Sequence, residues 1–282
     1  MKKGFTLAEL LGVLVILGAI LLIAIPVVDK VIKSGQEDLY QDQIESIKSS
    51  LNLWMSNNQK PDVDETITLS LSQLKEAGVV ELDITNPKTN ELFPNDMILK
   101  ISNNQGTIEY QIDVTGSNKS DYTLLPSISL NGNVLDYVEV DNTGVATYND
   151  PGLVVKDSSG NIISTVNQST TPTFDITKRG IYLRKYVATS DGYTNNAYRT
   201  IIVRDTVGPE ISFIGSLTLT YAESITYDYD ADISVTDNSG ENVTVEVEHN
   251  ISALAGDYTV KYIATDSSGN VTTKLRKVTI TG

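Results

Sequence analysis

Glu9 is the first residue whose chemistry needs an explanation. It heads nineteen residues, Leu10 to Val28, that carry no charge. At about 1.5 Å per residue such a stretch crosses a hydrocarbon core of roughly 30 Å. A charged side chain inside such a segment costs about 3 kcal/mol on insertion scales, so its presence points to a function. The turns "DSSGN" at 157 and 266 offer Asp and Asn oxygens that suit a hard cation. Each has too few carboxylates for a full shell, and both are read as backbone turns. The chain has one histidine, His249, and no cysteine, which excludes thiolate metal sites and leaves little for imidazole catalysis. His249 ends the strand-like "VTVEVEHN" with no serine nucleophile motif around it. "YDYDAD" from Tyr227 suits a sugar-binding rim or a solvated strand edge, and the strand edge is the reading taken. No nucleophile, metal or acid–base constellation stands out, so neither an enzyme nor a cofactor is expected.

A net charge of −15 argues against general nucleic-acid binding, which wants clustered Lys and Arg. The absence of cysteine leaves the compartment open. Three readings compete for the N-terminus. A secretory signal would use Lys2 and Lys3 as its basic end, but Leu22-Ile23-Ala24 puts a large residue where a cleavage site wants a small one. A simple anchor would keep Lys2 and Lys3 inside and export the chain beyond residue 28. Neither explains Glu9.

The third does. "KKGFTLAEL" resembles the processing site of type IV pilins and pseudopilins, with Gly4 ending a basic leader, Phe5 opening the mature chain and Glu9 as its fifth residue. The resemblance implies cleavage between Gly4 and Phe5 by a prepilin peptidase and N-methylation of Phe5. It also implies that the new amine pairs with Glu9 of a neighbouring subunit. The bland alternative, Glu9 snorkelling to the membrane surface, leaves the Gly4-Phe5 pair unexplained.

Several elements must position these residues. Pro26, at a place where pilins commonly carry proline, is expected to kink the helix. Tyr40, Ile44, Ile47, Leu51 and Trp54 make one apolar stripe, which continues the helix to about residue 57, with Gly35 as a soft point. Residues 58 to 122 read as a small α+β head. Ser70 caps a short helix bearing Leu71 and Leu74, Gly78 stops it, and two strands flank a turn at Gly106. From residue 123 the chain repeats itself. "PSISLNG" at 126 answers "PEISFIG" at 209, "DSSG" at 157 answers "DNSG" at 237, and "GIYLRKYVATSDG" from Gly180 answers "GDYTVKYIATDSSG" from Gly256. The alternation of Tyr258, Val260, Tyr262 and Ala264 with polar neighbours indicates β-sandwich modules at 123–205 and 206–282, joined at Gly208-Pro209. The pair resembles the tandem immunoglobulin-like domains of Gram-positive surface proteins. A Lys–Asn crosslink of the kind known in some pilus domains is not assignable from the sequence.

The expected fold is therefore a leader at 1–4, a long helix at 5–57, an α+β pilin head and two all-β immunoglobulin-like sandwiches. The implied partners are the prepilin peptidase, an assembly platform and ATPase, other pilin subunits, and the membrane before extraction. The implied location is the membrane, then a surface filament suited to adhesion or spacing. A pseudopilin of a secretion or DNA-uptake machine and a membrane-anchored surface adhesin are the alternatives.

Overall fold

The computed structural model describes residues 7–252 and 254–282. A long N-terminal apolar helix leads into domains built mostly of β-sheet. Helix α1, Leu7–Asn57, has 51 residues and a length of about 76 Å. Pro26 lies inside it, and its missing N–H removes the usual helical donor from the Leu22 carbonyl. The packing divides the chain into two compact units. The first holds the chain up to Asn133 with Leu153–Gln168 and Lys185–Tyr198, and the second holds Val134–Gly152, Ser169–Arg184 and Arg199–Gly282.

In the first unit, β1 (Thr66–Ser70) leads directly into α2 (Leu71–Glu76), and β2 (Thr85–Asn86) pairs with β3 (Glu91–Leu92). Strands β4 (Ile98–Asn104) and β5 (Thr107–Asp113) complete an antiparallel sheet of order β1-β4-β5. Thr66 faces Ser102 and Ile98 faces Asp113 in its register. The β4–β5 turn is Gln105-Gly106, both at positive φ (51° and 92°), the conformation that matches a two-residue hairpin to strand twist. Ser70 and Gln73 start α2 with a capping box, each side chain accepting from the other's backbone N–H. Three members of the helix stripe, Ile47, Leu51 and Trp54, are buried, as are Ile67, Leu69, Leu71, Leu74, Phe93, Met97, Leu99 and Ile101. Each large apolar side chain removed from water in this way contributes about 1.5–3 kcal/mol.

The remaining strands form two sets of six. The first comprises β6 (Ser127–Leu130), β7 (Leu135–Glu139), β8 (Leu153–Lys156), β9 (Val166–Thr171), β10 (Gly180–Ser190) and β11 (Tyr193–Arg204). In the second are β12 (Glu210–Phe213), β13 (Leu217–Thr220), β14 (Ile233–Thr236), β15 (Thr244–His249), β16 (Gly256–Thr265) and β17 (Val271–Thr281), with α3 (Tyr221–Thr226) after β13. The sheets are β6-β8 with β7-β11-β10-β9, and β12-β14 with β13-β17-β16-β15. Both sets therefore pair first with third, and second with sixth, fifth and fourth. In both, the second strand runs parallel to the sixth, Leu135 opposite Thr200 and Leu217 opposite Val278. The sequence repeat is thus a repeat of topology.

Alternation along β16 buries Val260, Tyr262 and Ala264, and these join Ile211, Leu219, Val278 and Ile280 in one core of the second unit. A second core of that unit gathers Val140, Tyr182, Ile201 and Val203. Ile128, Val155, Ala188 and Ala197 make a separate core in the first unit. "YDYDAD" corrects the strand-edge expectation. Residues 227–232 form a coil and turn leading to β14, Tyr229 is buried, and Tyr227 packs beside it on the core. The reason is that the tyrosine rings supply apolar area that a short segment after α3 can reach, while Asp228 and Asp230 are exposed and Asp232, half-buried, accepts from Tyr227 Oη.

Candidate functional site: an apolar helix and an acidic cluster

Of the residues singled out at the N-terminus, Gly4 and Phe5 lie outside the described residues. Glu9 sits in the first turn of α1, where the positive end of the helix dipole favours a carboxylate. The helix around it is apolar on every side. Its apolar stretch is not buried by any other part of the described chain, and α1 is the one helix among the described residues long and apolar enough to cross a membrane. Leu10, Leu14, Leu17, Leu21, Ile25 and Val28 are all exposed. A soluble monomer rarely shows a contiguous apolar patch above about 300–600 Å². The exposed apolar surface of this helix exceeds what is usual for a soluble monomer.

Past the apolar segment the helix is clamped to the head. Tyr40 lies 6.1 Å from Phe93 between ring centroids, and Lys88 sits 3.8 Å over the Tyr40 ring while its Nζ pairs with Glu37 at 2.8 Å. Tyr110 Oη donates to Asn52 Oδ1 at 3.0 Å. One half of α1 is therefore fixed by the sheet-bearing part of the first unit, and the other half presents an exposed apolar surface headed by Glu9.

A second constellation was not legible as a site in the sequence. Asp205 comes directly after β11, Asp237 opens the turn after β14, and Asp266 opens the "DSSGN" turn after β16. Each offers a carboxylate oxygen within 4.8 Å of the others. Asp205 Oδ2 accepts from Ser268 Oγ at 2.7 Å, while Asp205 Oδ1 and Asp237 Oδ2 are buried with no hydrogen-bond donor. Burial, with the charges of Asp237 and Asp266 adding to it, pushes the Asp205 carboxyl above its ordinary range. Asp266 is desolvated too, yet hydrogen bonds from Asn270 and Ser268 outweigh this and hold it low. The signal available in the sequence was an Asp opening three loops, "RDTVGP", "TDNSG" and "TDSSGN". Nothing in their spacing says that the loops converge. The other turn, at 157, behaves as the backbone reading expects. Asp157 Oδ1 accepts from Ser159 N and Asn161 N, at 2.9 and 2.8 Å.

No protein-family model and no curated protein matches the chain. Among solved structures, a lipoprotein from Bacteroides thetaiotaomicron is 13% identical and aligns over 53% of this chain and 98% of its own, with a TM-score of 0.25. The M60 catalytic domain with the CBM51-1 and CBM51-2 domains from Clostridium perfringens ZmpB is 11% identical over 66% of this chain and 33% of its own, at 0.32. Human mucin-like protocadherin EC1-2 is 10% identical over 55% and 96%, at 0.25. Similarities this weak carry no argument about activity or partners.

His249 closes β15 with its ring centroid 4.6 Å from that of Tyr229. The pairing gives the imidazole a packing role at the end of the strand.

Proposed function

We propose that this chain is the subunit of a type IV pilus or pilus-like filament. The observation that carries the reading is an apolar helix surface, exposed along its length and headed by the carboxylate of Glu9. In this reading the chain enters the membrane with residues 1–4 cytoplasmic. A prepilin peptidase cuts between Gly4 and Phe5, and Phe5 is N-methylated. The amine so created, with an ordinary pKa of about 7.7–8.0, pairs with Glu9 of the neighbouring subunit. Such a pair adds little net stability once desolvation is counted, but losing one member strands a charge, so it sets assembly register. Extraction by a platform and ATPase exchanges lipid around α1 for other subunits' helices. The β-sheet modules, read as immunoglobulin-like, face outward for adhesion or spacing, and the acidic composition keeps them soluble.

Mass spectrometry of the chain isolated from cells with and without the peptidase tests this. A mature N-terminus at Phe5, lost when the peptidase is deleted or when Gly4 is replaced by a bulky residue, is the expected result. Retention of residues 1–4 in wild-type cells overturns it in favour of a membrane-anchored surface protein. Deleting the gene and scoring surface filaments apart from secretion and transformation separates a pilus from a pseudopilus.

A further inference from the structure

We propose that Asp205, Asp237 and Asp266 bind one calcium ion. The inference is independent of the filament reading. Three carboxylates that converge within 4.8 Å fit the ligand spacing of one ion, because calcium–oxygen distances of about 2.3–2.6 Å put opposite ligands about 4.8 Å apart. The second observation is the state of Asp205, which is only 8% exposed and yet has no donor for its Oδ1. Buried carboxylate oxygens are ordinarily hydrogen-bonded or bound to a metal. Asp237 Oδ2 is in the same condition, and so is the amide oxygen of Asn238 beside it.

The remaining oxygens are held as a coordinating shell requires. Asp237 Oδ1 accepts from Ser239 N at 2.9 Å, Asp266 Oδ1 accepts from Ser268 N and Asn270 N, each at 2.9 Å, and Asp266 Oδ2 accepts from Asn270 Nδ2 at 2.9 Å, an oxygen with lone-pair room left for an ion. These bonds orient the two turns and leave the second oxygen of Asp237 to a ligand. Arg179 is the neighbouring cation. It donates to Ser268 Oγ at 2.6 Å, but its guanidinium forks onto Glu241 at 3.2 and 2.7 Å. It therefore balances Glu241, not the three aspartates. A purely oxygen donor set excludes the thiolate and imidazole preferences of zinc and copper. Carboxylates from three separate loops suit the irregular shell of calcium better than the strict octahedron of magnesium. The ion would tie the end of β11 to the β14–β15 and β16–β17 connections.

The test uses the full chain in detergent micelles, stripped with chelator and dialysed against calcium chloride. The expected result is one bound calcium per chain and a rise in unfolding temperature of about 5 to 10 °C at a hundredfold excess over Kd. Magnesium at the same concentration should give less than half that rise. D205N and D237N should each weaken binding at least about tenfold, whereas D157N, in the other "DSSGN" turn, should leave it unchanged. Asp237 is half-buried, so D237N decides the matter if D205N fails to fold. A wild-type chain that takes up no calcium at millimolar concentration overturns the proposal. So does a D237N chain that binds as the wild type does, or an equal response to magnesium.

Discussion

Gln73 and Tyr198 exchange two hydrogen bonds. The amide Nε2 of Gln73 donates to Tyr198 O at 2.9 Å, and Gln73 Oε1 accepts from Tyr198 N at 2.8 Å. A side chain on α2 thus occupies the edge of β11 as a neighbouring strand would. Ser70 adds a third link, its Oγ donating to Asn196 O at 2.9 Å. The same Gln73 oxygen also accepts from Ser70 N at 3.0 Å, so one side chain serves both the helix cap and the strand edge.

Removing that side chain should therefore cost more than an ordinary cap. Q73A leaves the Tyr198 N–H and C=O buried without partners, at about 1–3 kcal/mol for each unsatisfied group. We expect a loss of about 2–4 kcal/mol in the first unit. The single tryptophan, Trp54, is buried in that unit and reports its unfolding by fluorescence during denaturant titration. A loss below about 0.5 kcal/mol would show that water replaces the amide without penalty.

Arg199 gives a second prediction, in the second unit. Its side chain is fully buried, with Nη1 3.0 Å from Asp136 Oδ2 and Nη2 donating to Gly152 O at 3.1 Å. Tyr148 Oη donates to the same Asp136 oxygen at 2.7 Å, which together with burial raises the phenol's pKa. Asp150 Oδ1, 3.7 Å from Arg199 Nε, still faces the guanidinium when Asp136 is lost, so D136A should cost about 3 kcal/mol, the low end for a broken buried pair. R199M paired with D136L removes both charges and should cost less than D136A alone. Thermal unfolding followed by hydrogen exchange on β7 and β11 measures both. A double variant worse than D136A would mean that the network contributes net stability.

Asp141 and Asp175 are the carboxyls held lowest in the second unit, where Glu223, Glu241, Asp257 and Asp266 are lowered as well. Thr143 and the backbone N–H groups of Ala146 and Val145 hold Asp141 at about 2, and Thr177 and Lys178 hold Asp175 at about 2. A carboxylate depressed below its unfolded value of about 3.9 stabilises fully above that value and loses the effect as pH falls through about 2. Asp205, raised by burial, works in the opposite sense. The second unit should keep a constant denaturation midpoint from pH 7 to about 5 and then weaken steadily toward pH 2. D141N should lower the midpoint at pH 7 and flatten the slope between about pH 4 and 2. An unchanged slope would remove Asp141 from this account.

The elements that the sequence discloses are those specified locally. The apolar run, the stripe ending at Trp54, the cap at Ser70 and the turn at Gly106 each depend on residues within one or two turns of chain. The repeat between 123–205 and 206–282 is visible in the sequence because tyrosines and turn residues recur at matching places, whereas the number and order of strands in each set come from the structure. What stayed hidden is set by long-range pairing. The parallel junctions β7–β11 and β13–β17 join segments some 60 residues apart, and no local pattern encodes which strand lies beside which. The convergence of Asp205, Asp237 and Asp266 is a consequence of that topology. The turn at Tyr227 reads as a strand edge in the sequence because alternating polar and aromatic residues satisfy a strand period and a packed turn equally well.

Glu9 carries the last prediction. It lies in the first turn of α1, ahead of a helix whose exposed surface is hydrocarbon as far as Val28, so its carboxylate is the main polar feature that a neighbouring helix could read. E9A keeps Gly4 and Phe5, so leader removal should proceed at the wild-type rate. If the chain assembles as proposed, loss of the carboxylate leaves the new amine of the adjoining subunit buried without a counter-charge, and growth should stall after processing. A deficit of only about 1.4 kcal/mol per subunit gives a tenfold loss, so filament-bound protein should fall by at least about tenfold while the processed chain accumulates in the membrane. E9D, one methylene shorter, should recover part of the loss, and E9Q should recover little because the amide carries no charge. Immunoblots of sheared filaments against membrane fractions make the comparison. Wild-type incorporation of E9A would end the pairing role of Glu9, and a block in cleavage would reassign it to recognition by the peptidase.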